Sequence, residues 1–229
     1  MSTDHHHLFK AQLYEQFARI GKALASAQRL ELLDLLAQGE RTVEDLAQEA
    51  GLSIANASQH LRILRQARLA DARKAGLYVY YRLASPAVFA LWQTLRAVGE
   101  QQLAEIERLI LLYLRSPEAL EPISREELRA RLAMGDVIVL DVRPEVEYRQ
   151  GHIAGARSMP MSELEAQLAE LPKDRDIVAY CRGPYCFFSS EAVAVLTSHG
   201  YRARRLADGY PEWHAAQLPV EAGAASTTP

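Results

Sequence analysis

Three short apolar runs in the second half of the chain limit the folds open to it. Val137-Ile138-Val139-Leu140-Asp141-Val142-Arg143, Arg175–Tyr180 and Ala203-Arg204-Arg205-Leu206 are β-prone stretches. Amphipathic helical patterns fall between them, at Ser162–Leu171 and Ser189–His199. Strands that alternate with helices form a parallel sheet with helices on its faces, and ligands then bind at the C-terminal strand ends. Cys181 sits at one such end and Asp141-Val142-Arg143 at another. Ser124-Arg125-Glu126-Glu127 is a capping box that opens this domain.

Both cysteines of the chain lie in Tyr180-Cys181-Arg182-Gly183-Pro184-Tyr185-Cys186-Phe187-Phe188-Ser189-Ser190. The segment joins a buried strand to a helix whose serines and Glu191 suit its first turn. A short loop there points backbone N–H groups inward, and the helix dipole adds to them. Such a cradle favours an anion and lowers the pKa of Cys181 below the free value of about 8.5. Gly183-Pro184 alone would mark an ordinary turn; two thiols around it supply redox chemistry.

The first half reads as helical. Leu13, Phe17, Ile20 and Leu24 recur at helical spacing, and a second helix runs about Ala27–Gln38 with Leu30, Leu33 and Leu36 inward. Thr42 caps the next helix, which Gly51 ends, and Ser53 caps another from Ile54 to about Ala67. Ile54, Ala57, Leu61 and Leu64 fall on its buried face, leaving Asn56, Ser58, Gln59 and Arg62 outward. Amides and Arg bond base edges, and Ser reaches bases or phosphate, so this pair reads as a helix-turn-helix with its recognition helix second. A plain helical hairpin is the competing reading. The next two strands, Leu69–Lys74 and Leu77–Leu83, form a hairpin wing around Ala75-Gly76 and carry Arg73, Lys74 and Tyr78. Ser53–Leu83 holds six bases against one acid, a net +5 in a chain whose total is -3. That local stripe is what phosphate binding needs. A long helix, about Pro86–Arg115, exposes more apolar surface than one small domain covers, with Gly99 as a point of bending.

Leu52-Ser53, Ser58-Gln59-His60-Leu61-Arg62-Ile63-Leu64-Arg65-Gln66-Ala67, Leu69, Gly76 and Val79-Tyr80-Tyr81-Arg82-Leu83 together resemble the ArsR/SmtB winged-helix repressors. The resemblance implies a homodimer on double-stranded palindromic operator DNA. His60, where that family often has histidine, reads as semi-buried and satisfied rather than as a base reader. The thiol motif of the metal-sensing members is Thr42-Val43-Glu44-Asp45-Leu46 here, and the long helix holds no His or Cys, so no metal and no organic cofactor is expected. His5-His6-His7 belongs to a floppy tail.

Asp141-Val142-Arg143-Pro144-Glu145-Val146-Glu147-Tyr148-Arg149-Gln150-Gly151-His152 and the residues up to Pro160, with Asp208-Gly209-Tyr210-Pro211-Glu212-Trp213, look like the two signatures of the rhodanese domain. Carried over by position, Cys181 takes up sulfane sulfur as a persulfide, and Asp141 and Arg143 lie near the active-site loop. Glu147 and His152 read as structural. The family commonly ends this loop in an Arg that holds the donor; here the position is Cys186, a resolving thiol, while Arg182 still supplies positive charge. Poor thiosulfate turnover follows, with Cys186→Arg expected to raise it. A direct disulfide needs Cα atoms within about 7 Å, which a loop wrapped around an anion reaches only by distortion, so bridging by one or two extra sulfurs is expected to strain it less.

The fold class expected is therefore two domains: an N-terminal, mainly α winged helix-turn-helix over 1–115 and a C-terminal α/β rhodanese-like domain with a parallel sheet over 123–222. A linker at 116–122 joins them, and 223–229 is a disordered tail. The function expected is a cytoplasmic transcriptional regulator that senses a small sulfur-species donor or an oxidant through Cys181 and Cys186. A sulfurtransferase or thiol-dependent oxyanion reductase with an attached winged helix is the alternative, and an inert docking domain a third. Arsenic(III) would find only two of its usual three thiolates. Two cysteines are too few for a disulfide framework, and the longest apolar run is far short of the roughly 20 residues of a membrane span.

Overall fold

The structure, a computed structural model, describes residues 3–114 and 121–223. The chain divides into two compact units, Met1–Ala97 and Val98–Pro229. Their boundary falls inside the helix that opens at Pro86, ahead of the linker expected at 116–122, most of which lies outside the described residues.

The first unit runs α1 (Thr3–Leu24), α2 (Ala27–Ala37), β1 (Arg41–Thr42), α3 (Val43–Glu49), α4 (Ile54–Gln66), β2 (Ala70–Ala75), β3 (Tyr78–Leu83) and the start of α5 (Pro86–Gln102). The tail expected over residues 1–7 is helical from Thr3, so His5-His6-His7 is the first turn of α1. In α2 the buried face is wider than expected and takes in Leu32 and Leu35 beside Leu33 and Leu36, with Leu30 only half-buried. Thr42 makes a full capping box: Asp45 N–H donates to its hydroxyl at 3.1 Å, and Thr42 N–H donates to the Asp45 carboxylate at 3.3 Å. Ser53 caps α4 by accepting from Asn56 N–H at 3.2 Å. Leu46, Leu61 and Leu64 are fully buried where α2, α3 and α4 meet, with Leu69, just before β2, and Tyr81 of β3 closing the core. Ile54, expected on that face, is the first residue of α4 and is 53% exposed.

β3 lies between β1 and β2, antiparallel to both. The wing turn is Gly76-Leu77 rather than Ala75-Gly76, since Ala75 pairs with Tyr78. Gly76 has φ 61°, the left-handed conformation that a two-residue hairpin turn asks of its first central residue.

The second unit continues with α6 (Ala104–Tyr113), α7 (Arg125–Met134), β4 (Val137–Asp141), α8 (Glu145–Gln150), β5 (His152–Ile153), β6 (Arg157–Ser158), α9 (Leu164–Gln167), β7 (Asp176–Tyr180), α10 (Phe187–Ser198), β8 (Ala203–Arg205), α11 (Tyr210–Ala215) and β9 (Val220–Glu221). The single helix expected over Pro86–Arg115 is broken at Leu103, which adopts an extended conformation (φ −115°, ψ 98°). Gly99 permits the fold-back, since a Cβ there would meet Ile106 Cδ1 at 3.1 Å.

The sheet is parallel in the order β6-β4-β7-β8, one strand more than the three runs anticipated. Its alternation sorts the core into two layers. Ile138, Leu140, Ile177, Ala179 and Cys181 pack with Ala192 and Leu196 on one face. Val137, Val139, Val178 and Tyr180 pack with Leu128 and Trp213 on the other. Ile123 is tied to the edge by Ile123 N–H to Arg205 O and Ala207 N–H to Ile123 O, both 2.9 Å.

Candidate functional site

Cys181 follows the last residue of β7 and is 1% exposed, a member of the α10-side core. Cys186 is the N-cap of α10 and only half-buried, so the helix starts two residues before the serine expected to cap it. A disulfide joins the two, with Cα atoms 6.2 Å apart. That Cα separation lies within the reach of a direct bond. The loop closes as a turn, Cys186 N–H donating to Gly183 O at 3.2 Å, so that donor faces the loop backbone and is not offered to an anion.

Gly209 holds the loop from behind. A Cβ on it would lie 2.3 Å from Gly183 N and 2.6 Å from Cys181 O, distances only glycine allows. Tyr210 N–H donates to Cys181 O at 3.1 Å. Sequence reasoning placed both residues in a signature without giving them this task; the glycine itself was the available signal.

Asp141 and Arg143 lie on the other face of the sheet from Cys181. Both are fully buried and bonded to each other: Arg143 Nε donates at 3.0 Å and Nη2 at 2.6 Å to the Asp141 carboxylate. Arg143 Nη2 also donates to Gly151 O at 2.7 Å, and its guanidinium stacks 4.3 Å from the Tyr210 ring. Tyr180 OH donates to Asp141 at 2.5 Å and accepts from Ile153 N–H at 3.1 Å. Burial pushes the Tyr180 hydroxyl well above the ordinary tyrosine pKa, and the Asp141 carboxylate adds to it. Burial alone would lower the Arg143 pKa, yet Asp141 outweighs it and the guanidinium stays charged. These groups reach the loop through Tyr210 rather than by touching the thiols.

Arg182 does not point its charge at Cys181. Its Nε and Nη2 donate to Glu147 at 2.8 and 2.5 Å, and Glu147 is 2% exposed. His152 is equally structural: its Nδ1 lies 2.9 Å from Tyr148 O and its ring stacks on Tyr148 at 3.6 Å.

In the first unit Ser53, Asn56, Gln59 and Arg62 are exposed on α4, Ser58 is half-buried, and Arg73, Lys74 and Tyr78 are exposed on the wing. Arg62 donates to Gln59 Oε1. Arg73 is held by Glu40, with Nε 2.8 and 2.9 Å from its carboxylate oxygens, and stacks 4.7 Å from Tyr80.

The model for bacterial regulatory proteins of the arsR family matches residues 26–72, and that for the rhodanese-like domain matches 124–216. The HTH-type transcriptional regulator Rv0324 of Mycobacterium tuberculosis is 46% identical over 215 residues, 94% of each chain. This chain belongs to the ArsR family of transcriptional regulators. It carries a rhodanese-like domain in its second half. A sulfurtransferase of Allochromatium vinosum is 39% identical over 102 residues, covering 44% of this chain and 94% of its own. A solution NMR structure of the homodimeric winged helix-turn-helix DNA-binding domain of Mb0332 from Mycobacterium bovis is 45% identical, with a TM-score of 0.40, over 41% of this chain and 87% of that one.

This ArsR-family regulator departs from its sequence reading at His60. Its Nδ1 is enclosed without a hydrogen-bond partner, where a satisfied ring was expected. Among the described residues no cluster of three or more His, Cys, Asp or Glu side chains is placed to hold a metal ion, and no helix is long and apolar enough to cross a membrane.

Proposed function

We propose that this regulator binds a palindromic operator as a cytoplasmic homodimer and senses sulfane sulfur or an oxidant through Cys181 and Cys186. The observation that carries the reading is the pair itself, two thiols within bonding reach where strand β7 gives way to helix α10. Polysulfide transfers a sulfur to the Cys181 thiolate; the Cys186 thiolate attacks that persulfide, forms the disulfide and expels hydrosulfide. Turnover of thiosulfate as an enzyme is weak, because no arginine stands at position 186 and Arg182 is committed to Glu147.

DNA recognition falls to the outward side chains of α4 with the wing beneath the phosphates. Leu8, Phe9, Phe17, Leu91 and Leu95 leave α1 and α5 with apolar side chains in solvent, which supports a second copy covering them. A coupling of about 1–3 kcal/mol between loop and operator changes affinity some 5- to 150-fold.

The test uses a duplex selected from a random pool by the full-length protein. Its affinity is measured before and after polysulfide, beside the mass of the Cys181–Cys186 peptide. A response on DNA that Cys181→Ser retains would exclude the loop as the sensor.

A further inference from the structure

We infer that the loop disulfide is opened by attack at Cys186, and that only a dithiol reductant opens it efficiently. This rests on the reading of Cys181 and Cys186 as a reversible pair, and it adds which sulfur is attacked and by what class of partner.

The two sulfurs are unequal targets. Thiol–disulfide exchange requires the incoming thiolate to approach along the S–S axis, from beyond the sulfur it attacks. Cys181 is buried within the α10-side core, in one cluster with Ala179, Ala192 and Leu196, all fully buried. Its backbone is walled by Gly209 and held by Tyr210 N–H. Cys186 is half-buried and caps α10, followed by Phe187 and Phe188, which are 48% and 37% exposed. Cys186 is therefore the more accessible of the two sulfurs, although it too packs against the edge of that core. Apolar rings flank it, and the charged side chain of the loop, Arg182, is already paired with Glu147. A protein dithiol with an apolar rim suits that surround better than a small anionic thiol does.

The electrons then move as follows. A reductant thiolate bonds to Cys186 Sγ, the Cys181–Cys186 bond breaks, and Cys181 leaves as a thiolate. The mixed disulfide faces two fates. Cys181, whose Cα lies 6.2 Å from that of Cys186, re-attacks Cys186 Sγ and expels the reductant unchanged. Alternatively a second thiolate of the same reductant attacks the reductant's own sulfur, forms its internal disulfide and releases the Cys186 thiolate. The net step is a two-electron reduction, with both reductant protons passing to the freed thiols. A monothiol has no internal second thiolate, so re-closure defeats it. A dithiol competes on equal, intramolecular terms.

The experiment uses the full-length wild-type protein oxidised with diamide. Loop opening is followed at equal total thiol concentration with dithiothreitol and with 2-mercaptoethanol. Dithiothreitol is expected to open the loop at least about tenfold faster. In parallel, concentrated 2-mercaptoethanol is acid-quenched, alkylated with N-ethylmaleimide at low pH and mapped by peptide mass. The mercaptoethanol adduct is expected on Cys186 and the maleimide on Cys181. Equal opening by the two thiols, an adduct on Cys181, or no disulfide after diamide would each overturn the inference. Operator affinity is not read here, so a DNA response that fails while Cys186 remains the entry point removes the sensor reading and leaves this one standing.

Discussion

The recognition face of α4 and the redox loop solve opposite problems. On α4 the candidate side chains other than the half-buried Ser58 stand in solvent, and the core beneath them is complete without them. In the loop nothing acts alone: Cys181 is placed by Gly209 and Tyr210, Tyr210 by Arg143, and Arg143 by Asp141. The contrast predicts how each region fails. Substitutions on α4 should cost affinity and leave stability alone. Substitutions behind the loop should cost stability and reach DNA only through the loop's coupling to the operator.

The widest separation is expected for Arg143→Met. It leaves the Asp141 carboxylate fully buried without its counter-charge, a loss of about 3–5 kcal/mol. Adding Asp141→Asn should recover much of that loss, because the uncompensated charge is gone. Hydrogen exchange at β4 and β7 in the full chain measures both. A loss under about 1 kcal/mol would mean the pair is dispensable and the comparison is wrong.

Arg62→Ala is the converse. Losing one base-edge contact should cost about 1–3 kcal/mol of specific binding, with unfolding unchanged within about 0.5 kcal/mol. A drop in stability as large as the drop in affinity would show that α4 is also an assembled structure.

That asymmetry also explains what the sequence disclosed. Helical spacing revealed α4 and most of its outward residues, because one helix fixes which side chains face out; Ile54 and Ser58 are the exceptions. Alternating apolar runs revealed β4, β7 and β8. The two-residue strand β6 escaped because two positions carry no period. In the loop the cysteines were legible as chemistry, but not which of them was buried. That depends on Gly209, twenty-eight positions after Cys181, pressing its backbone against the loop. Arg182 looked like a charge for the thiolate because adjacency in sequence says nothing of Glu147, which α8 brings to it. Arg73 was counted in a window that excluded Glu40.

A smaller effect is expected at alkaline pH. Tyr180 has its pKa raised in the fold, so its contribution is fully present below the unfolded value of about 10 and is lost as pH rises above it. Stability of the second unit should fall by about 1.4 kcal/mol per pH unit there. Tyr180→Phe should remove most of that slope, with Tyr210, also raised by burial, retaining a share. A slope unchanged in Tyr180→Phe would mean that the buried hydroxyl is not what titrates.

The finest distinction lies within the wing. Arg73 and Lys74 are adjacent, and both are exposed. If exposure alone set their worth to DNA, each would release one counterion and each alanine variant would flatten the salt dependence of binding by about 1. Arg73, however, is already neutralised by Glu40 at 2.8 Å and has little counterion to release. Lys74→Ala should therefore flatten the log–log salt slope by about 1, and Arg73→Ala should barely change it. Arg73→Ala should still weaken binding slightly, because it turns the Glu40 charge toward the phosphates. Glu40→Gln is the sharper probe: it frees Arg73, so the slope should steepen by about 1 and affinity for all duplexes should rise together. Equal flattening in Lys74→Ala and Arg73→Ala, with no steepening in Glu40→Gln, would mean that DNA strips Arg73 from Glu40 on binding. The wing would then be an assembled contact too, and the line drawn between the two regions would have to move.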